Sequence, residues 1–236
     1  MASLYLIRHG QASFMQANYD QLSPAGYAQA QALGNYFVQH RLQFDKVWCG
    51  ELVRHHQTYQ GAQEPMTTHQ LAMPAPIVLP GLNEHQATEV YQHLQGDFLE
   101  KDQALKALLA AKGPHHAEVR RGYIKLFYKA IQLWAKGEVQ VEGLENYPDF
   151  ARRVTAAYHQ LAEMMEGVEN GIAFTSGGTI GMLIGVLLQL DSERIVELNW
   201  QTRNTGITEF SYSKGKFFLR SFNEIPHLSP AMVTYV

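Results

Sequence analysis

The apolar positions along the chain change period several times, and each change marks an element. SLYLI, residues 3–7, is a short apolar run ending in charge, the pattern of a buried strand. From Ser23 the period lengthens. Ser23-Pro24 supplies an N-cap with proline in the first turn, and Ala25, Ala28, Ala32, Leu33, Tyr36 and Phe37 recur at helical spacing. FDKVWCG, residues 44–50, predicts a second strand and residues 52–62 a helix. PIVLPGL, residues 76–82, predicts a short third strand. Residues 84–138 are polar and amphipathic, rich in Gln, His, Lys and Ala, with a Gly113-Pro114 break and helices expected on both sides. Residues 148–166 form a strong helical pattern, GIAFT (171–175) a fourth strand and residues 179–190 a buried helix. Residues 205–223 alternate around Lys214-Gly215, which predicts a hairpin.

Strands alternating with helices and closing in a hairpin predict an α/β protein. The expected architecture is a three-layer α/β/α sandwich with a mostly parallel central sheet. Residues 1–236 are read as one domain, with residues 84–138 a helical insertion over one end of the sheet, a lid or substrate region. The chain is 46% hydrophobic, enough for a large core. A net charge of −3, with no long basic run, argues against a nucleic-acid or membrane partner. Cys49 is the single cysteine, so no intrachain disulfide can form. The N-terminus, MASLYLIRHG, lacks the basic region of a signal peptide, and the longest apolar stretch suits a buried helix better than a bilayer. A cytoplasmic location is expected.

In open α/β sheets, ligands bind beyond the C-terminal ends of the strands. There the first strand ends in Arg8-His9-Gly10, and the second leads into Glu51 and Arg54. The third runs into Asn83-Glu84-His85, and the fourth into Ser176-Gly177-Gly178. Guanidinium forks match phosphate oxygens, and a glycine-rich helix start offers free N–H groups to an anion. The inventory is that of a phosphate site with a nucleophile and an acid. Ser176, at a strand-to-helix turn, has the position of a nucleophile elbow. The Gly-x-Ser-x-Gly pattern is not met, because position 174 is Phe, and only His227 follows late enough to complete a triad. Ser176 is better placed as a wall of a phosphate pocket.

LYLIRHGQAS resembles the phosphate-binding start of the histidine phosphatase superfamily, in its phosphoglycerate-mutase-like branch. The resemblance continues in order through LSPAGYAQAQALGNYF, the Arg-x-x-Gln-Thr of FDKVWCGELVRHHQT, LNE, LENYPDFARRV and FNEIPHL. It implies that His9 is a nucleophile forming a phosphohistidine, and that Arg8 and Arg54 hold the phosphoryl oxygens. Glu84 would protonate the leaving oxygen and later activate water, while Ser176 and Gly177 would line the phosphate site. His9 must be neutral to attack, so its second ring nitrogen is expected to donate to a backbone carbonyl. No cofactor or metal is required, because the arginines supply the positive charge.

Three departures bear on function. The family normally reads Ser-His-Gly-Gly where this chain has Thr175-Ser176-Gly177-Gly178. Exchanging a charge-assisted hydrogen bond for a neutral one forfeits roughly 1–2 kcal/mol of transition-state stabilisation. His55, His56, His85 and His227 are the imidazoles whose chain positions allow one to stand in. Met15 occupies a place where many members have a phosphate-contacting asparagine, with Asn18 a substitute, and HQATEV after Glu84 lacks the usual glycine-aromatic pattern. Phe14-Met15 and His85-Gln86-Ala87 also lack the residues of the cofactor-dependent mutases, so a mutase is not expected. Two readings follow. One is a phosphomonoester hydrolase working through phosphohistidine on His9, with activity reduced by Ser176. The other is a pseudo-phosphatase that binds a phosphorylated small molecule or phosphoprotein with little turnover. Arg120-Arg121 and His115-His116 either reach a second acidic group of the substrate or form a solvated helix face. Apolar residues of the insertion, such as Tyr123 and Trp134, are core or a homodimer contact.

Overall fold

A computed structural model of the chain describes residues 2–12, 20–114 and 116–235; Phe14, Met15, Asn18 and His115, singled out above, lie outside the described residues. The first strand, β1 (Ala2–Arg8), lies inside a six-stranded sheet. The other strands are β2 (Lys46–Cys49), β3 (Ile77–Val78), β4 (Asn170–Thr175), β5 (Ile207–Ser213) and β6 (Lys216–Glu224), in spatial order β3-β2-β4-β1-β5-β6. The β3–β2, β2–β4 and β4–β1 pairings are parallel, and only β5 and β6 run antiparallel. The sheet is therefore mostly parallel, as the alternating strand and helix pattern predicts.

Two compact units divide the chain. The first holds residues 1–84 and 152–236, and with them the whole sheet. Strand side chains alternate between its faces. Ile7, Val47, Cys49, Ile172 and Phe174 point one way, into a core with Leu33 and Phe37 of α1 (Pro24–Gln39) and Tyr59, Ala62 and Met66 of α2 (Val53–Thr68). Burial pushes the Cys49 thiol up to about 12, which keeps it an inert core residue. On the opposite face the Trp48 ring covers Gly171, where an added methyl group would sit 2.5 Å from the ring, beside Met165. Tyr158 of α6 (Tyr147–Met164) meets Phe217 of β6 edge-on at 5.4 Å. Helices α7 (Gly177–Leu188) and α8 (Ser192–Gln201) follow β4, and Gly185 leaves room for Ile195 between them. Helices thus cover both faces of the sheet.

The second unit, His85–Ala151, is helical. It contains α3 (Ala87–Lys101), α4 (Gln103–Lys112) and α5 (Ala117–Ala135), with Leu105, Val119 and Leu126 as its buried apolar centre. Its last turns are stapled by Trp134, which packs on His85, Tyr147 and Phe150 and donates to the Glu145 carbonyl. Asp102 accepts from the Leu105 N–H and so starts α4, a break the sequence reading did not place.

Three further boundaries differ from expectation. Helix α2 continues past the expected end at 62 and through Pro65, because Met66 in its last turn is fully buried in the core. Strand β3 is cut short by Pro80, which opens a 3₁₀ turn over Pro80–Leu82. Helix α8 was not anticipated, although Asp191 caps it by accepting from the Arg194 N–H.

Candidate active site

The three inner parallel strands end level with one another. Arg8 pairs with Thr175, the His9 N–H donates to the Thr175 carbonyl, and the Gly50 N–H donates to the Phe174 carbonyl. The chain leaves each strand on the same edge, so Arg8-His9, Arg54, Glu84 and Ser176-Gly177 all come from one end of the sheet in the first unit.

His9 is 3% exposed, and its Nδ1 lies 2.7 Å from the Gly10 carbonyl. The carbonyl can only accept, so Nδ1 carries the proton and Nε2 keeps its lone pair. Burial above all, and then the charges of Arg54 and Arg8 and the nearby His55, hold the His9 pKa well below the ordinary histidine value. The ring is thus neutral and oriented at neutral pH, as expected of a nucleophile.

Its backbone is fixed by the residues that form the sequence motifs. Gly10 and Gly26 are one contact: a methyl group on Gly10 would lie 2.5 Å from the Gly26 carbonyl oxygen, and one on Gly26 would lie 2.2 Å from that of Gln11. Only glycine lets the start of α1 lie this close to the loop after β1. Gln29 of α1 accepts from the Gln11 N–H and donates to Met232 and Thr234 near the C-terminus. Thr58 of α2 accepts from the Gly10 N–H and donates to the Arg54 carbonyl. Asn204 donates to the His9 carbonyl, and the Thr205 N–H donates to the Arg8 carbonyl. Thr205, in the left-handed region at φ 56°, is held by His227, whose Nε2 is 2.9 Å from its hydroxyl. Burial lowers the His227 pKa to about 4. None of these supporting roles was assigned from the sequence, where the motifs gave only residue types.

The two guanidiniums are anchored differently. Arg8 Nη1 donates to the Thr202 carbonyl at 2.5 Å and to the Tyr235 carbonyl at 2.6 Å. A methyl group on Gly177 would stand 2.5 Å from Thr202 Oγ1 and 2.6 Å from Asn199 Oδ1, so only glycine fits these side chains at the start of α7, beside Arg8. Arg54 is 6% exposed and pairs at 2.8 Å with Asp20, which also accepts from the Val53 N–H at the start of α2. Asp20 was not anticipated; it lies in no motif quoted above.

Glu84 accepts from the Gly178 N–H at 3.1 Å, which places its carboxylate at the N-terminus of α7. Arg153 grips its loop by donating to the carbonyls of Pro80, Gly81, Asn83 and Glu84. Thr175 and Thr179 add hydrogen bonds to the Leu82 and Asn83 carbonyls. Arg153 is the second of the two arginines in LENYPDFARRV, and its hydrogen bonds hold the loop that carries the Glu84 carboxylate.

Ser176 is the N-cap residue of α7, is fully buried and makes no capping hydrogen bond with its side chain. Its hydroxyl instead lies 2.7 Å from Nε2 of His55, also fully buried. The His55 and His9 rings are 5.9 Å apart between centroids. Of the imidazoles considered for the place at 176, His55 is therefore the one in contact with it. His227 supports Thr205, and His85 belongs to the Trp134 cluster of the second unit. Among the described residues no group of His, Cys, Asp and Glu is arranged to hold a metal ion, and no helix is long and apolar enough to cross a membrane.

No curated protein matches the chain in sequence. Solved structures do match in fold. Phosphoserine phosphatase of Entamoeba histolytica is 20% identical, covering 97% of this chain and 100% of that one, with a TM-score of 0.63. A mycobacterial glucosyl-3-phosphoglycerate phosphatase with inorganic phosphate is 21% identical, covering 97% and 100%, at a TM-score of 0.62. Alpha-ribazole phosphatase of Shigella flexneri is 20% identical, covering 94% and 96%, at a TM-score of 0.60. The family model of the histidine phosphatase superfamily (branch 1) matches residues 4–115 and 107–225, and the chain belongs to that superfamily.

Proposed function

We propose that the protein is a phosphomonoester hydrolase that works through a phosphohistidine on His9. The observation that carries this reading is the state of His9: an enclosed, neutral imidazole with Nδ1 tied to the Gly10 carbonyl, beside two arginines. Nε2 attacks phosphorus as the alcohol oxygen leaves. Arg8 and Arg54 hold the phosphoryl oxygens and offset the charge that spreads over them in the transition state. Protonated Glu84 gives its proton to the leaving oxygen, and the resulting carboxylate then takes one from the water that attacks the phosphohistidine. As Nε2 becomes bonded to phosphorus, the ring gains positive charge, which the Nδ1–H to Gly10 hydrogen bond stabilises. The structural neighbours named above are phosphatases, which supports a phosphatase here.

The test is release of phosphate from a generic aryl phosphate by wild type and His9→Ala, with acid-labile phosphate on the protein followed in parallel. The reading expects release and labelling in wild type and neither in His9→Ala. Tight phosphate binding with no label and no release would instead make the protein a phosphate-binding module. That outcome is the alternative the serine at position 176 raises.

A further inference from the structure

We propose that His55 and Ser176 form one functional pair, in which the Ser176 hydroxyl meets a phosphoryl oxygen and His55 is the positioning residue behind it. The proposal rests on the phosphate-site reading above and adds the group that completes that site. A serine at a helix N-cap ordinarily accepts from a nearby backbone N–H of its own helix. Ser176 does not, and its hydroxyl is committed across the site to an imidazole from a different helix. Three elements cooperate to make the contact. Helix α2 supplies the ring, α7 supplies the hydroxyl, and the end of β2 supplies space, because a methyl group on Gly50 would lie 2.4 Å from Nδ1 of His55. The pair is fully enclosed, and the His55 ring lies close to the ring of His9. An imidazole enclosed beside a nucleophile, with a serine hydroxyl on its Nε2, is more than apolar packing requires.

The imidazole can act either way in this bond. With its proton on Nδ1, it accepts from the serine. With the proton on Nε2, it donates to the serine oxygen, and the serine hydrogen is then free to donate to an oxygen of the phosphoryl group on His9. The pair works in this Nε2–H tautomer, in which the ring stays neutral and no proton has to move between its nitrogens during turnover. The serine is too short to carry an imidazole itself, and His55 delivers one from α2 to the same place. The pair also predicts the effect of enlarging Ser176. Its oxygen already touches the His55 ring in a space closed to water, so a histidine at 176 and the histidine at 55 compete for one volume.

The experiment is a swap series: Ser176→Ala, His55→Ala, the double alanine, Ser176→His, and His55→Ala combined with Ser176→His. Each is read by kcat and KM on an aryl phosphate, by calorimetric affinity for inorganic phosphate, and by thermal midpoint. Either alanine should lower kcat/KM roughly ten-fold to a hundred-fold, and the double alanine no further than the worse single change. Ser176→His alone should lose activity, whereas adding it to His55→Ala should recover it to within a few-fold of wild type. Phosphate affinity should follow the same order. A purely structural role would move the thermal midpoint without this recovery. Ser176→Ala leaves almost no cavity, so it keeps the test valid if His55→Ala folds poorly. The proposal is overturned if both alanine variants bind phosphate and turn over like wild type, or if Ser176→His improves wild type while His55→Ala has no effect. Phosphohistidine on His9 with a flat swap series sinks the pair alone. Absence of phosphohistidine, with phosphate affinity still following the swap order, sinks the hydrolase reading alone.

Discussion

His9 draws its chemistry from a single short hydrogen bond and an enclosed setting, and neighbouring residues keep that setting in place. Thr58 is the sharpest example, since it holds the N–H of Gly10, the residue after His9. Thr58→Val keeps shape but leaves this buried N–H without its acceptor, a cost of about 1–3 kcal/mol. The thermal midpoint should drop by several degrees, with turnover reduced more than substrate binding; an unchanged midpoint and kcat would refute the assigned role. That Arg8, His9, Arg54 and Glu84 come from one end of the sheet was legible in the sequence, because each ends a strand or lies in the loop or first helical turn that follows one. The role of His55 was not. Arg54, His55 and His56 are consecutive, and the sequence pattern does not say which of them turns inward; in the fold Arg54 and His55 are buried and His56 is only half-buried. Ser176 was expected to line the phosphate site as a weak replacement. The geometry adds an imidazole partner, His55.

Among the elements, α1 and α2 decide the shape of the site, because both present their motif residues to the loop after β1. They touch through Gly34, where an added methyl group would lie 2.2 Å from the Ala62 carbonyl oxygen. Gly34→Ala must therefore push the helices apart, at a cost of about 1–3 kcal/mol, although alanine is the better helix former. Chemical denaturation should show the loss directly, and a more stable variant would contradict the packing described. The loop Pro80–Glu84 is the second such device. Arg153→Met removes its grip on four carbonyls, so kcat should fall roughly ten-fold or more while KM changes little. A change confined to KM would mean that Arg153 serves substrate binding. Most elements were readable from their periods: β1, β4, the hairpin around Lys214-Gly215 and helix α6 all fall close to the positions expected. Tertiary burial carried α2 past Pro65, and one aspartate split the polar region at residue 102; neither follows from local pattern.

For the whole molecule, the sequence foretold a mostly parallel sheet flanked by helices, but not the strand order. It held no sign that β5 would pair antiparallel with β1, because pairing partners far apart in the chain leave no periodic trace. Among the described residues His9 and His55 are buried and His227 is half-buried, and the pKa values of all three are lowered mainly by burial. The unfolded chain takes up protons near pH 6.5 that the folded chain refuses, so stability is present above that pH and is lost as pH falls toward the folded values. For His227, with a folded value of about 4, the loss between pH 7 and 5 is about 2 kcal/mol. Urea unfolding should show at least this fall, and His227→Phe should reduce it; stability that is flat or rising toward pH 5 would contradict the buried neutral state. That neutral state is also what the proposed chemistry requires. The most direct test is to mix the protein with an aryl phosphate, quench in alkali within the first turnovers and locate the phosphate by mass spectrometry. The account predicts acid-labile phosphate on His9, absent in His9→Ala. Phosphate release with no phosphohistidine, or with the label on another residue, would contradict it.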